Sequence, residues 1–166
     1  MKKILFLILS ITLFFNANSQ TCSDLVFLKI DKMTGDRIAG VKDMMLISDD
    51  KGKTGIGFFP SKMNESIMFI FFTYGASSCI DEDNNIHILF RDGTRLKMKN
   101  QGKYNCENTF QLIFLGDFGN EEQFQMFKTK EIEAIRIWTE DSFVERDFTI
   151  KQSEIFIKTV NCLLKI

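Results

Sequence analysis

Four cysteines are the residues of this chain whose chemistry can be argued most directly: Cys22, Cys79, Cys106 and Cys162. No Cys-x-x-Cys pair occurs, so a redox or metal-binding cysteine motif is not indicated. In an oxidising compartment, the four cysteines of a small domain are expected to form two structural disulfides. Three connectivities are open to four cysteines, so the choice depends on the elements that carry them.

A single histidine, His87, is the candidate for acid and base catalysis. A nucleophile would need this imidazole, and no Gly-x-Ser-x-Gly motif accompanies it. The Asp-Phe-Gly sequence at 117–119 matches a kinase tripeptide by letter only, because the other kinase motifs are missing. Paired carboxylates for glycoside hydrolysis stay open, since such pairing depends on distance in space. We therefore predict no catalytic residue and no cofactor.

Asp81, Asp83 and Asn85 have the spacing that opens a calcium-binding loop. The sharp turn of such a loop requires glycine at its sixth position, where this chain has Ile86. These residues form a weak metal-site candidate, and the expected structure is a solvated polar loop.

The element expected to organise the domain is a β-hairpin over residues 86–99, closed around the Asp-Gly pair at 92–93. A two-residue loop would place apolar side chains opposite charged ones on the same face. A three-residue loop pairs Ile88 with Leu96 and gathers the apolar side chains of both strands on one face. We therefore predict the second register, with Gly93 left-handed at a bulge.

The other face of this hairpin is polar and points away from the core. In the predicted register His87 lies across from Lys97, a cation that disfavours protonation of the imidazole. Leu89 and Arg95 lie on the same outer face. If the domain binds a ligand on this side, the candidate ligand-facing residues are His87, Arg95, Lys97 and the aromatic Trp138.

The hairpin register also favours one cysteine pairing. Cys79 and Cys106 lie nearly opposite each other, where the two arms of the hairpin leave the regular ladder. Cys162 lies on the side of the predicted closing helix roughly opposite Phe156, so its partner must pass over the outside of that helix. The N-terminal arm that carries Cys22 is free to do so. The expected disulfides are Cys79 with Cys106 and Cys22 with Cys162.

Residues 1–19 have the pattern of a secretory signal peptide. Lys2 and Lys3 precede an apolar run at 4–15, and Ala-Asn-Ser at 17–19 supplies the small residues that a signal peptidase reads. The run is shorter than the about 20 residues that span a bilayer, so an uncleaved anchor is the weaker alternative. A lipoprotein is weaker still, because the residue before Cys22 is not small enough. We expect a secreted or periplasmic protein with one disulfide-stapled globular domain over 20–166.

Composition limits the partners. The formal net charge is −1 and no basic cluster occurs, which argues against nucleic acid and against stable membrane insertion after signal cleavage. Phenylalanine is abundant, with 18 residues, and most of them must fill a core.

Alternation of apolar and polar residues predicts a series of short strands. Besides the hairpin they fall at 24–32, 44–48, 54–59, 66–74, 109–115, 132–138 and 143–148. Pro60 is expected to stop the third of these. The strand at 66–74 is apolar on both faces, so we expect it to be central and covered from both sides.

Two helices complete the series. A turn at 116–119 leads into a short helix at 121–127 with Asn120 as its N-cap, and a closing helix begins after Thr149, with Gln152 completing a capping box. The predicted fold class is α+β, mainly β. It is an antiparallel sheet or partly closed barrel, with a short internal helix and a C-terminal helix packed on it.

Several short sequences resemble a family of small exported bacterial proteins of unknown function. They are Cys-Ile-Asp-Glu at 79–82, Ile-Leu-Phe-Arg-Asp-Gly-Thr at 88–94, Asn-Cys at 105–106, Lys-Thr-Lys at 128–130, Ile-Arg-Ile-Trp-Thr at 135–139 and Asn-Cys-Leu at 161–163. The resemblance implies that the hairpin, the cysteines and the strand at 136–138 belong to one domain. It implies no activity, substrate or catalytic residue.

These features favour a small exported, non-enzymatic binding or scaffold domain of the bacterial envelope, with an envelope protein as a candidate partner. The alternative is a carrier of a small apolar ligand inside a phenylalanine-lined barrel. The third hypothesis is a hydrolase that uses paired carboxylates in a cleft.

Overall fold

A computed structural model describes residues 21–75, 78–114 and 119–166. The predicted signal peptide and the turn residues 116–118 lie outside these described residues. Within them the strands are β1 (Val26–Ile30), β2 (Arg37–Val41), β3 (Met45–Ser48), β4 (Gly55–Met63), β5 (Ser66–Tyr74), β6 (Asn85–Phe90), β7 (Arg95–Lys99), β8 (Thr109–Phe114), β9 (Ile132–Trp138) and β10 (Phe143–Asp147). The helices are α1 (Cys22–Leu25), α2 (Glu121–Thr129) and α3 (Ile150–Leu164).

The strands form two antiparallel sheets, which confirms the predicted mainly β class. The first sheet has six strands in the order β1-β2-β4-β5-β8, with β3 also paired to β4. The second has four strands in the order β10-β9-β6-β7. The partly closed barrel is wrong, because β6 pairs with β7 and β9 and so begins a separate sheet rather than extending the first one.

The β6–β7 hairpin, which forms one edge of the second sheet, has the predicted register. Ile88 lies opposite Leu96, and the Phe90 N–H donates to the Thr94 carbonyl at 2.9 Å. Gly93 has a φ of 84°, the left-handed conformation expected at the bulge. The match of apolar faces therefore identified the register correctly.

Strand β4 runs through Pro60, so the prediction that the proline stops it is wrong. On one edge β3 pairs with β4 up to Phe58, and β2 begins to pair with it at Ser61. Proline lacks the N–H that a ladder needs, and it is tolerated where one edge of a strand has no partner. Pro60 falls in this gap between the two partner strands.

The N-terminal part of the sheet also departs from prediction. The strand predicted at 24–32 is shorter, because α1 (Cys22–Leu25) precedes β1. β1 pairs with β2, a strand that the sequence pattern did not reveal. The central position of β5 is confirmed by its pairing with β4 and β8, but only one of its faces is fully buried. Its other face is only partly covered.

One core joins the inner faces of both sheets to α2 and α3. Its phenylalanine rings contact one another: Phe156 of α3 stacks on Phe58 of β4 at a centroid distance of 4.2 Å, and Phe127 of α2 meets Phe69 of β5 edge-on at 5.2 Å. Close ring contacts of this kind fill space rather than line a cavity. Most of the phenylalanines that the structure describes are buried in the core, as composition indicated.

The closing helix begins as predicted. The Thr149 side chain accepts a hydrogen bond from the Gln152 N–H at 3.2 Å, and the Gln152 side chain accepts one from the Thr149 N–H at 2.8 Å. At the shorter helix Asn120 occupies the N-cap position, but its side chain makes no capping hydrogen bond and the helix continues to Thr129.

Both predicted disulfides are present, Cys22 with Cys162 and Cys79 with Cys106. One detail differs from expectation: Cys162 is buried rather than outside. A second, smaller apolar cluster forms around it from Val26, Val41 and Leu163, because the N-terminal arm lies over that side of α3. The helix is therefore buried on two sides.

Candidate functional site

The outer face of the second sheet holds a groove of about 530 Å³, which we call the charged groove. Its lining includes Leu89, Ala134, His87, Arg136, Arg95, Lys97, Glu133, Glu145 and Asp147. Side chains of a strand alternate between faces, so the residues between the buried positions of β6 and β9 point into this groove. The hairpin therefore provides one side of it and β9 with β10 the other.

The strand registers place these residues in two rows across the sheet. In the first row Glu145 pairs with Arg136, Arg136 with His87, and His87 with Lys97. In the second, Asp147 pairs with Ala134, Ala134 with Leu89, and Leu89 with Arg95. Each row thus begins with an acid on β10 and ends with a base on β7.

The opposite charges of the second row stay apart because of the residues between them. Asp147 and Arg95 are separated by three strand spacings, roughly 14 Å at the backbone. Leu89 and Ala134 lie between them and provide an uncharged floor. Among the described residues, the side chains of Arg95, Lys97, Glu133 and Asp147 form no hydrogen bond or ion pair. The groove therefore has an unpaired basic side and an unpaired acidic side.

Arg136 is held in place within the first row. Its Nε donates to the Glu145 carboxylate at 2.5 Å, and its guanidinium lies 4.5 Å from the centre of the Phe143 ring and 5.9 Å from that of Trp138. Trp138 in turn lies 6.2 Å from the His87 ring. These contacts make the middle of the groove ordered, with Glu145 engaged by Arg136 rather than free for paired-carboxylate chemistry.

His87 is half-buried in the groove between cations. Burial lowers the pKa of His87 below its ordinary value of 6.5, and the nearby charges of Lys97 and Arg136 lower it further. Its imidazole forms no hydrogen bond to any described residue. A general base is oriented by an acceptor on its second nitrogen, and here the described neighbours are cations and the Trp138 ring.

Sequence reasoning found one side of this site. The structure brings His87, Arg95 and Lys97 together in the groove and places Trp138 beside His87. The sequence pattern did not predict the acidic side of the groove. Alternation along β10 would have put Glu145 and Asp147 on one face, but only the pairing of β9 with β6 places that face beside the hairpin. Glu133 was harder to assign, because a register shift between Leu89 and Phe90 interrupts the alternation.

In the weak calcium candidate, one carboxylate oxygen of Asp81 and one of Asp83 accept hydrogen bonds from neighbouring groups. The Asp81 carboxylate accepts from the Asp83 N–H, and the Asp83 carboxylate pairs with Lys99 at 2.9 Å. That lysine lowers the pKa of Asp83 by its hydrogen bond and its charge. Asn85 donates to the Asp83 carbonyl at 3.0 Å. Two contacts within the loop and one from β7 therefore hold these residues in place.

Across residues 21–75, 78–114 and 119–166, no group of three or more histidine, cysteine, aspartate or glutamate side chains is arranged to hold a metal ion. Over the same residues no helix is both long and apolar enough to cross a membrane.

No protein family model, curated protein or solved structure matches this chain.

Proposed function

We propose that this protein is an exported, non-enzymatic binding domain of the bacterial envelope and that the charged groove is its binding site. The observation that carries the proposal is that unpaired bases and unpaired acids lie on opposite sides of the groove, with Leu89 and Ala134 between them in the second row. Arg95 and Lys97 line one side, and Glu133 and Asp147 the other. Unpaired charges of opposite sign on two sides of one groove attract a ligand that carries both signs.

The spacing suggests the size of that ligand. Two or three strand spacings, roughly 10 to 14 Å, separate the basic side from the acidic side. An extended peptide covers at most about 3.3 to 3.6 Å per residue, so three or four residues span the groove. We propose a short extended peptide with a free carboxylate towards Lys97 and an ammonium group towards Asp147.

Two features support binding rather than catalysis. The His87 imidazole is flanked by Lys97 and Arg136 and has no carboxylate to orient it among the described residues. Glu145 is engaged by Arg136. The groove thus offers charge and shape complementarity without an arranged acid and base pair.

The proposed location rests on two independent features. The pattern of residues 1–19 is that of a secretory signal, and both cysteine pairs are bonded. Mass spectrometry of the protein recovered from an expressing bacterium tests this. We expect a periplasmic species that begins at Gln20 and contains two disulfides, whereas a full-length cytoplasmic species would contradict export.

The groove is tested with a defined probe, trialanine with free termini. Because His87 is the only histidine, its imidazole resonances in a proton NMR spectrum are unambiguous. A carboxylate bound at Lys97 offsets the neighbouring positive charge, so we expect the pKa of His87 to rise on addition of the peptide. Trialanine with both termini blocked is the matched ligand control and is expected to leave the pKa unchanged.

Charge reversal identifies the side chains involved. Lys97→Glu is expected to abolish the response, while Lys103→Glu, which changes an exposed lysine outside the groove, is expected to keep it. An unchanged His87 titration with free trialanine at millimolar concentration would reject the zwitterionic peptide. An equal response in both variants would reject the groove as the site.

A further inference from the structure

The six-stranded sheet has a second apolar surface, on the side away from the core. On β5 every second side chain is fully buried, and the alternate ones, Met68, Ile70 and Phe72, point outward and are only partly covered. β4 adds Phe59 to this outer side, and β3 adds Leu46, which is 55% exposed. We call this surface the apolar face.

The strand registers make the apolar face continuous. Ile70 lies at its centre, opposite Phe59 on one side and Gln111 on the other. Met68 lies opposite Ile113, and Phe72 opposite Gly57. Neighbouring strands are about 4.8 Å apart, so these residues are neighbours across the sheet and form one patch rather than scattered exposed residues.

Two glycines keep the apolar face smooth. A Cβ on Gly40 would lie 3.0 Å from the Phe27 ring, and one on Gly57 would lie 2.8 Å from the Met44 sulfur. Phe27 of β1 therefore lies flat over Gly40, and Met44, the residue before β3, lies flat over Gly57. A larger residue at either glycine would push these side chains outward. A smooth apolar surface suits close packing against another flat surface.

Nothing in the described part of the chain covers this face. The longer helices lie on the other side of the sheet, as the stacking of Phe156 on Phe58 shows. Among its described strand residues Lys29 is the single charged side chain, and it lies at the outer edge, on β1. Two copies brought together here would meet almost no like-charge repulsion, and a charged partner would find no complementary groups.

We infer that a second copy of this chain covers the apolar face, with the two six-stranded sheets packed face to face in a symmetric dimer. The area agrees with this occupant. At about 4.8 Å between strands and about 3.4 Å per residue, the face measures roughly 20 by 30 Å. Its projected area of about 600 Å² is of the same order as the roughly 800 Å² that each partner buries in a stable dimer.

The dimer is independent of the proposed ligand but compatible with it. The apolar face belongs to the first sheet and the charged groove to the second, and each lies on the side of its sheet away from the shared core. Packing through the apolar face therefore leaves the groove of each copy open. A dimer of this form presents two identical grooves.

The test is the mass of the exported, disulfide-bonded protein by sedimentation velocity from about 1 to 100 μM, the concentrations at which specific dimers of this area form. We expect a dimer. Ile70→Lys buries an unpaired charge at the centre of the interface and is expected to raise the dimer dissociation constant at least about 100-fold. Leu46→Lys changes a side chain already exposed in one copy, so the fold tolerates it, and it is also expected to weaken the dimer.

The matched control is Ile150→Lys, the same change at an exposed position on α3. It is expected to leave the dimer intact. A monomeric wild-type protein at 100 μM would overturn the inference. If that monomer carries an apolar molecule in native mass spectrometry, or floats with phosphatidylcholine vesicles, the face has another occupant. A dimer that survives both Ile70→Lys and Leu46→Lys would place the contact elsewhere, such as the unpaired edge of β1.

Discussion

Truncation of Phe156 to alanine tests whether the phenylalanine core is filled. Phe156 is fully buried, and its ring lies 4.2 Å from that of Phe58 and 6.0 Å from those of Phe69 and Phe127. Removing a buried phenylalanine costs about 3 to 5 kcal/mol, and the lost ring contacts place this position at the upper end. We expect Phe156→Ala to lose about 4 to 5 kcal/mol, a large part of the ~5 to 15 kcal/mol that stabilises a domain.

The assay is equilibrium unfolding in urea with both disulfides intact. With a denaturant slope of about 2 kcal/mol per M, the midpoint should fall by roughly 2 M. Phe143→Ala is the matched control, because Phe143 is 46% exposed on β10. It should lose less than about 1 kcal/mol.

A small loss would refute this reasoning. If Phe156→Ala costs no more than the Phe143→Ala control, the ring borders empty space rather than packed neighbours. That result would return the carrier of an apolar ligand to consideration, because its binding cavity would then lie inside the core.

Three further results are expected. Replacing both Cys79 and Cys106 with alanine removes the disulfide that closes a loop of sequence separation 27. The free energy of unfolding in urea should fall by about 3 to 4 kcal/mol, and an unchanged value would contradict the presence of this disulfide. The Lys130 side chain, and after it the Thr94 N–H, hold the pKa of Asp92 at about 2. The contribution of Asp92 to folding stability is therefore complete above pH 3.8 and is lost as the pH falls through 2. Lys130→Met should raise the pKa of the Asp92 carboxyl in an NMR titration, and an unchanged pKa would reject Lys130 as the main cause. The pKa of His87 in the folded protein lies below 6.5, so as the pH falls below 6.5 the unfolded chain binds more protons than the folded protein and folding stability decreases. In thermal melts His87→Gln should show a smaller decrease of stability with falling pH than the wild type. An identical pH profile for the two proteins would contradict the lowered pKa of His87.

The sequence predicted those parts of the fold whose signals are local. The register of the hairpin followed from matching apolar faces around Gly93, and the start of α3 from Thr149 and Gln152. The disulfides followed from these two elements, because the register placed Cys79 beside Cys106 and the helix period placed Cys162 away from Phe156.

Errors arose where one strand meets another that is distant in the chain. Pro60 is a strand breaker by local rules, but it lies in a gap between β3 and β2 that only the sheet creates. Strands in series with short turns left an antiparallel sheet and a partly closed barrel as alternatives. In the structure β8 returns to β5 after the hairpin, which leaves the hairpin in a second sheet.

The candidate site divides in the same way. The register of one hairpin was enough to predict that His87, Arg95 and Lys97 share its outer face, because successive side chains of a strand point to opposite faces of the sheet. The acidic side of the groove, with Glu133 and Asp147, required the pairing of β9 with β6. Which strands become neighbours depends on burial of the whole core, and no short stretch of sequence contains that information.

The hairpin, the capped helix and the Cys79–Cys106 bond could be predicted from the amino-acid sequence, since each depends on neighbours in the chain or on one strand ladder. The Cys22–Cys162 bond joins residues 140 positions apart, and it was expected because the helix period turns Cys162 away from Phe156. The division of the strands into two sheets, the opposite charges on the two sides of the groove, and the apolar sheet face that no described segment covers could not be predicted from the sequence. The physical reason is that these three properties arise from packing between segments far apart in sequence.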